Sequence, residues 1–450
     1  MCEHISPLPM TQIPRSNGKL YITPISEHLD IRSDVGFYMI YAPENGKAVI
    51  LDAASATALL EEDSTAQLLK EELLQQKQEE ATGGDTQEKH LELLPTMSCN
   101  FRCSYCYAAK AHSHEHLSRE QCDQIIRTFI SSQDKSNTTY KISFVGGGEP
   151  ILEWENICYC MKLASTRANA KGGNVRFSII SNGSLIDKDK YQTLKEFDVA
   201  VRVSFEILPD IQQKQRGAYA RVAQNITGMC AAGVRVGIRS IITENNVHRQ
   251  NEMIQYAAAQ FPEIKSLDFE PVCTSAESPH SLRTFYQKFT DAFFEARETA
   301  KAKGIRLDCI ALRMAQGRGE FFCPGDFCVS PSGVISACHR SVTPNDCGYE
   351  TFVYGKLFSN GEMQINAAAF QQIQHRKTAE SYEECRQCFA RKNCAGGCLY
   401  QRLLLREEQF RIHCEFTRNF LLRYLLNIQD EACRKQHGKT LREFLTSQHS

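Results

Sequence analysis

Cys99-Asn100-Phe101-Arg102-Cys103-Ser104-Tyr105-Cys106-Tyr107 places three cysteines at CxxxCxxC spacing. The stretch directly follows Leu91-Glu92-Leu93-Leu94-Pro95-Thr96-Met97, a short apolar run that reads as a strand. Three thiolates on one loop can hold three irons of a 4Fe–4S cube, and the fourth iron then has no protein ligand nearby in sequence. A cuboidal cluster ordinarily takes four cysteines, so three and a gap point to an iron kept open for another ligand. The plainer readings are a zinc site or three unrelated thiols. Zinc loops are usually built from CxxC pairs, and this group of three does not follow that pattern.

The chain around this loop has 450 residues, enough for two or three domains. Hydrophobic residues make up 42% and charged residues 23%, ordinary for a soluble globular protein. A net charge of −1 gives no basic field for nucleic acid or an anionic membrane surface. No apolar run approaches the ~18 residues a membrane helix needs. Met1 to Tyr21 lacks the apolar core of a secretory signal, so the expected location is cytoplasmic. Twenty cysteines in a reducing compartment read as metal ligands rather than disulfides.

Before the cysteine loop, Gly18–Pro24, Val35–Tyr41 and Ala48–Leu51 read as strands, with turn chemistry at Pro43–Lys47. Asp52 to Gln78 reads as one helix, capped at Asp52 or Ser55, and Glu79 to Lys89 as a polar linker. Residues 1–89 are thus expected to form a small α+β unit. From Leu91 onward strand and helix alternate. Strands at Tyr140–Val145, Val175–Ile180, Ala200–Phe205, Val234–Ile242 and Ser266–Pro271 each precede a helical segment. Such alternation implies an α/β fold with a parallel sheet and helices outside it. Six βα units are too few for the eight-fold closed barrel.

The loop resembles the motif of the radical S-adenosylmethionine (SAM) superfamily, CxxxCxxC followed by an aromatic, here Tyr107. That family folds as a (β/α)6 partial barrel, which agrees with six units over residues 90–304. The resemblance implies a cluster on Cys99, Cys103 and Cys106 whose open iron chelates SAM. Cleavage of SAM then releases a 5′-deoxyadenosyl radical that abstracts hydrogen from the substrate. The second strand ends in Gly146-Gly147-Gly148-Glu149-Pro150, similar to the family's GGEP motif, in which Gly147, Gly148 and Glu149 would meet the SAM amino group. Glycines let backbone approach a ligand closely, and a carboxylate beside them suits an ammonium. Ser181 and Asn182 at the third strand end, and Ser204 and Glu206 at the fourth, match polar positions of the family. Arg216, with Arg239 as its rival, would pair with the methionyl carboxylate, for which a bidentate guanidinium is well shaped. A solvated or structural ion pair is the plainer reading of either arginine.

Beyond Arg306 cysteine dominates: Cys323, Cys328, a Gly333-x4-Cys338 hairpin, then Cys385, Cys388, Cys394 and Cys398 at Cx2Cx5Cx3C, and Cys414. This resembles the SPASM extension of peptide-modifying and sulfatase-maturing radical SAM enzymes. The resemblance implies one auxiliary 4Fe–4S cluster on Cys323, Cys328, Cys338 and Cys398 and another on Cys385, Cys388, Cys394 and Cys414, three clusters in all. Zinc is the rival metal for a Cx2C pair. Cys347 and Cys323 are the unsettled positions, and an open iron on the first auxiliary cluster follows if either assignment slips. Most of the other cysteines sit in predicted helices and strands, where the thiol is usually a small buried hydrophobe. The expected divisions are 305–425 for this region and 426–450 for a helical tail. Glu415 to Ile428 carries an apolar stripe typical of core packing. His112, His114 and His116 read as a polar loop, with a metal site as the alternative.

The implied activity is an oxidoreductase that modifies a ribosomally made precursor peptide, forming a thioether or a carbon–carbon side-chain crosslink. A reductant such as flavodoxin or ferredoxin would supply the electron. Oxidation of Ser or Cys to formylglycine in a sulfatase is the second reading, and an iron–sulfur electron-transfer protein the third. An electron carrier has no need of a SAM amino-group site. Glu270, Asp308 and Asp326 are candidate bases by position alone. The N-terminal unit is expected either to grip a leader peptide, in one mode by adding it as an edge strand, or to cap the barrel.

Overall fold

The computed structural model describes residues 11–13, 20–31, 36–61, 63–75, 87–273, 278–323, 327–358 and 360–447. Four antiparallel strands open the chain: β1 (Thr11–Ile13), β2 (Leu20–Pro24), β3 (Phe37–Ala42) and β4 (Lys47–Asp52), in that order across the sheet. Alternation along the strands separates two faces. Tyr21, Phe37, Met39 and Tyr41 join the main core, while Leu20, Ile22 and Ile40 pack beneath two helices. Those helices, Ala53–Leu60 and Ser64–Leu74, correct the reading of one helix from Asp52 to Gln78. Asp52 accepts from the Ser55 N–H at 2.7 Å and Asp63 from the Thr65 N–H at 2.9 Å, and the second cap restarts the helix. Most of the expected linker lies outside the described residues, and its last residue, Lys89, is already in a strand.

The main sheet has eight parallel strands and three antiparallel ones. β5 (Glu88–Leu93), β6 (Thr139–Phe144), β7 (Asn174–Ser181), β8 (Ala200–Ser204), β9 (Arg235–Ile242) and β10 (Ser266–Pro271) are the six expected strands. Other strands of the sheet were not expected, among them two short parallel ones. β11 (Arg306–Asp308) extends the sheet beside β10, and β12 (Phe327–Val329) pairs parallel with β5, Phe327 opposite Leu91 and Val329 opposite Leu93. β13 (Val334–Ser336), β14 (Val353–Leu357) and β15 (Met363–Ile365) continue from β12 in antiparallel order. The sheet therefore runs from the barrel straight into the cysteine-rich region.

Helices cover the barrel strands. Arg119–Phe129 starts in a capping box between Ser118 and Gln121 and buries Cys122, Ile125, Ile126 and Phe129, the spacing of one helical face. Pro279–Ala302 presents Tyr286 and Phe294 to the helix Glu407–His437, where they meet Phe416 at 4.3 Å and Phe420 at 5.0 Å between centroids. The apolar stripe expected over Glu415–Ile428 is part of this longer helix, which runs unbroken through residues 425 and 426. No helix among the described residues is long and apolar enough to cross a membrane.

Candidate active site

The cysteine loop leaves the C-terminal end of β5. Its three thiols are partly buried. Burial raises Cys99 and Cys103, the neighbouring thiols oppose ionisation further, and the Arg216 guanidinium favours both thiolates. Among the described residues no three His, Cys, Asp or Glu side chains converge to hold a single metal ion, so His112, His114 and His116 form no such site.

The glycine loop after β6 is clamped onto the chain just before Cys99. Gly148 and Glu149 donate backbone N–H groups to Thr96 and Ser98 carbonyls at 3.0 and 2.8 Å. Gly147 has φ +100°, and a Cβ on Gly148 would stand 1.8 Å from the Ser98 carbonyl oxygen. A backbone this close admits only glycine. The Glu149 carboxylate, 2% exposed, accepts from Ser181 Oγ (2.6 Å), the Asn182 N–H (2.7 Å) and the Ile151 N–H (3.2 Å). Burial pushes its carboxyl upward while these donors and Arg216 work against the rise. Asn182 Nδ2 also donates to Asn100 Oδ1 at 2.8 Å, and Asn100 Nδ2 to Ser184 Oγ at 2.9 Å. Asn100 and Ser184 thus tie the cysteine loop to the tip of β7. Sequence reasoning missed both, although Asn100 lies inside the motif.

Glu206 is tied to the cysteine loop and to β9. It is fully buried, and its oxygens accept from Tyr105 Oη, from Ser240 Oγ at 2.7 Å and from the Ile241 N–H at 3.0 Å. It holds Tyr105, the residue before Cys106, in place. Arg216 Nη1 donates to the same Tyr105 oxygen at 2.7 Å and stands 3.8 Å from Glu206. Arg216 Nε is buried without a hydrogen-bond partner. Ser204 is half-buried at the end of β8, in register with Arg239. Arg239 pairs with Asp268 at 3.3 Å, and its Nε is likewise unpartnered. Tyr107 is 44% exposed, its ring 4.8 Å from the Arg340 guanidinium.

Two of the candidate bases, Glu270 and Asp308, share one arginine. Arg313 bonds Glu270 and lies 3.4 Å from Asp308. Glu270 also accepts the Ile310 N–H at 2.9 Å, and Asp308 the Cys309 N–H at 2.7 Å. Asp326 lies outside the described residues.

Three thiols on one loop, a glycine backbone without side chains, a buried carboxylate and an unpartnered guanidinium nitrogen form a donor set that fits a cluster with a bound amino acid. The family model of the Radical SAM superfamily matches residues 93–256. Those residues are a radical SAM domain. An uncharacterized protein of Methanocaldococcus jannaschii is 26% identical over 187 residues, 40% of this chain and 62% of that protein, less than two thirds of its length. The cysteine-type anaerobic sulfatase-maturating enzyme of Clostridium novyi is 22% identical over 333 residues, 67% of this chain and 85% of the relative. Among solved structures, anSMEcpe with bound AdoMet and Cp18Cys peptide has a TM-score of 0.59 at 19% identity, covering 77% of this chain and 99% of that one. Streptococcus suis SuiB bound to precursor peptide SuiA has a TM-score of 0.50 at 14% identity, covering 82% and 94%. At these identities the likeness establishes the fold, an α/β partial barrel carrying the radical SAM domain.

C-terminal to the radical SAM domain the cysteines gather in two groups. Cys394 is raised by burial and by its neighbours Cys414, Cys388 and Cys385. Cys338, pushed up to about 12, is raised by burial and by neighbours Cys398 and Cys323. Cys328 is fully buried in an apolar cluster with Leu94, Met97, Val145 and Val342. Cys347 is half-buried against the main core. Of the remaining thiols, Cys309 caps a helix through the Leu312 N–H at 3.3 Å, a structural use. Cys273, at the end of β10, departs from that pattern: it lies beside Gln401, Arg340 and Cys398.

The N-terminal sheet docks on the second group. Tyr41 Oη donates to Asn393 Oδ1 at 2.7 Å and Tyr21 Oη to the Gln387 carbonyl at 3.1 Å, with the Phe389 ring 6.1 and 6.3 Å from the two tyrosines. Glu44 binds Arg391 and stands 3.3 Å from Lys392. The loop so held carries Cys385, Cys388 and Cys394.

Proposed function

We propose that this chain is a radical SAM maturase of a ribosomally made peptide, holding SAM and three 4Fe–4S clusters. The observation that carries the reading is the convergence of the Cys99–Cys106 loop, the Gly146–Glu149 loop and Arg216 on one site. Bound there, the cluster and SAM supply a 5′-deoxyadenosyl radical able to take hydrogen from an unactivated carbon. Glu149 is placed to accept from the SAM ammonium beyond its three protein donors, since an ionised carboxylate has about four acceptor sites. The unpartnered Nε of Arg216 is suited to the methionyl carboxylate. Gly147 and Gly148 let this loop press against the chain before Cys99, which brings Glu149 beside the cysteines. A low-potential donor of the flavodoxin or ferredoxin class supplies the electron.

A peptide substrate is supported by two likenesses, since anSMEcpe and SuiB were each captured with a peptide. The SuiB likeness spans the larger share of this chain, which favours a precursor peptide and a thioether or carbon–carbon crosslink. The higher TM-score of anSMEcpe and the Clostridium novyi relative favour a second reading, formylglycine formation in a sulfatase.

The test is anaerobic turnover of reconstituted, dithionite-reduced protein with SAM and two substrates: precursor peptides encoded beside the gene, and a short sulfatase-motif peptide. The proposal expects 5′-deoxyadenosine and loss of two hydrogens from a precursor, with tandem mass spectra showing a joined pair of residues. An aldehyde in the sulfatase peptide instead establishes the second reading. Absence of 5′-deoxyadenosine from cluster-loaded, reduced protein overturns both.

A further inference from the structure

Arg340 lies between the two iron–sulfur regions. It follows Cys338 by two residues. Its guanidinium stands 4.8 Å from the Tyr107 ring and 5.5 Å from the Tyr400 ring. Tyr107 directly follows Cys106, and Tyr400 follows Cys398 by two residues. One cation is therefore held between the loop of the radical SAM cluster and the cysteines assigned to the first auxiliary cluster.

Among the described residues it has no acidic partner, unlike the arginines of the candidate site. Arg216 faces Glu206 at 3.8 Å, Arg239 faces Asp268 at 3.3 Å, and Arg313 is tied to Glu270 and Asp308. Among the described residues Arg340 meets no carboxylate, only two aromatic faces and the cysteines. Arg340 is half-buried, and even partial loss of water around a cation without a counter-charge is unfavourable. A cube on four thiolates is anionic and supplies the missing charge.

The second cysteine group has an arginine too, but a neutralised one. Arg402 stacks on Tyr382 at 3.4 Å and on Phe410 at 4.3 Å, and its Nη2 donates to Cys385 Sγ at 3.6 Å. Its Nη1 bonds Glu384 at 2.7 Å, which cancels the charge. Net charge and hydrogen bonds to sulfur are what set cluster potentials.

We propose that Arg340 makes the first auxiliary cluster the more easily reduced of the two, and so the first acceptor of the electron leaving the substrate. Reduction from the 2+ to the 1+ state adds one negative charge beside the unbalanced guanidinium and is stabilised there. The inference rests on the reading that Cys323, Cys328, Cys338 and Cys398 hold a cluster. Arg340 is a positioning residue, acting on a potential rather than on substrate.

The test is an EPR-monitored redox titration of full-length protein carrying Cys99→Ala, Cys103→Ala and Cys106→Ala, so that only auxiliary clusters report. About eight irons are expected. Two separate one-electron potentials should appear. Arg340→Gln should lower the higher one by at least tenfold in its equilibrium constant, 59 mV for one electron, with iron unchanged. Arg340→Lys should restore most of the shift, and Arg402→Gln should move the lower potential alone. An unmoved higher potential in iron-replete Arg340→Gln overturns the proposal. Should that variant fail to load, coincident potentials in the Arg340 parent overturn it equally. Four irons or fewer in the parent refute the two-cluster reading itself, a distinct failure.

Discussion

Ser181 Oγ stands 2.6 Å from Glu149 Oε1 and donates to it, joining the tip of β7 to the glycine loop after β6. With the Asn182 and Ile151 N–H groups it holds the carboxylate in a fixed direction although the side chain is buried. A carboxylate pre-set in this way loses little on meeting an ammonium.

Glu149→Ala should weaken SAM binding by about 1.5–3 kcal/mol, the worth of a hydrogen bond to a charged group. Iron content should stay the same, because the cysteine loop is held independently through Asn100 and Tyr105. Isothermal titration of the loaded protein with SAM checks this, and equal affinity in variant and parent would show that the loop is only a turn.

Replacing Cys99, Cys103 and Cys106 together with Ala should reduce iron from about twelve to about eight per chain, one cube of three. Iron and sulfide analysis after anaerobic reconstitution is the measurement.

Gly148→Ala should prevent proper closure of the cysteine loop, since its Cβ would overlap the Ser98 carbonyl. Gly146→Ala is the control: there the nearest atom is the Tyr107 hydroxyl at 3.2 Å, at the far end of a side chain that can give way. The radical SAM cluster should be lost in the first variant and retained in the second, read by the SAM-dependent change in the EPR spectrum of the reduced protein.

Tyr41→Phe removes the donor to the buried Asn393 oxygen, at a cost of about 1–3 kcal/mol. Because the N-terminal sheet holds the loop of Cys385, Cys388 and Cys394, occupancy of the second auxiliary cluster should fall before the other two. Removal of the whole N-terminal unit should do the same, so a leader-binding role has to be tested with exposed substitutions on that unit, not by truncation.

Asp134 carries the pH dependence that is easiest to isolate. Burial raises its carboxyl, but Lys89 at 3.0 Å, Tyr140 Oη at 3.0 Å and the Ser131 N–H outweigh that and hold it below the ordinary 3.8. A depressed carboxyl contributes stability above its unfolded value and loses it as pH falls through the folded one. Asp134→Asn should therefore destabilise by about 1.5–3 kcal/mol at pH 7, with the gap to the parent narrowing only below about pH 4 in denaturant titrations.

What the sequence showed follows from local chemistry. The cysteine loop, the glycine loop and the strand–helix alternation are read from spacing within a few residues. β10 falls at Ser266–Pro271 as expected, because turn residues and an apolar alternation bound it. β11 and β12 went unread because three residues carry no periodicity, and their pairing is decided by a neighbour far along the chain. The burial of Glu206 was illegible for a related reason: its donors Tyr105 and Ser240 come from two other segments. Glu270 and Asp308 looked free until Arg313 folded over them. Where the N-terminal unit docks was illegible because its tyrosines carry no mark of what they will touch.

The ladder between β12 and β5 bears on how the protein is made. β5, which launches the cysteine loop, leaves the ribosome long before the strand that completes its edge. Until Phe327–Val329 arrives, the first barrel strand has one flank open, and pairing over so large a sequence separation is slow. The sheet edge beside the cysteine loop is therefore completed only after most of the chain exists. Iron delivered during synthesis would meet loose thiols, and cells that assemble clusters slowly should accumulate a complete but empty polypeptide rather than a half-loaded one.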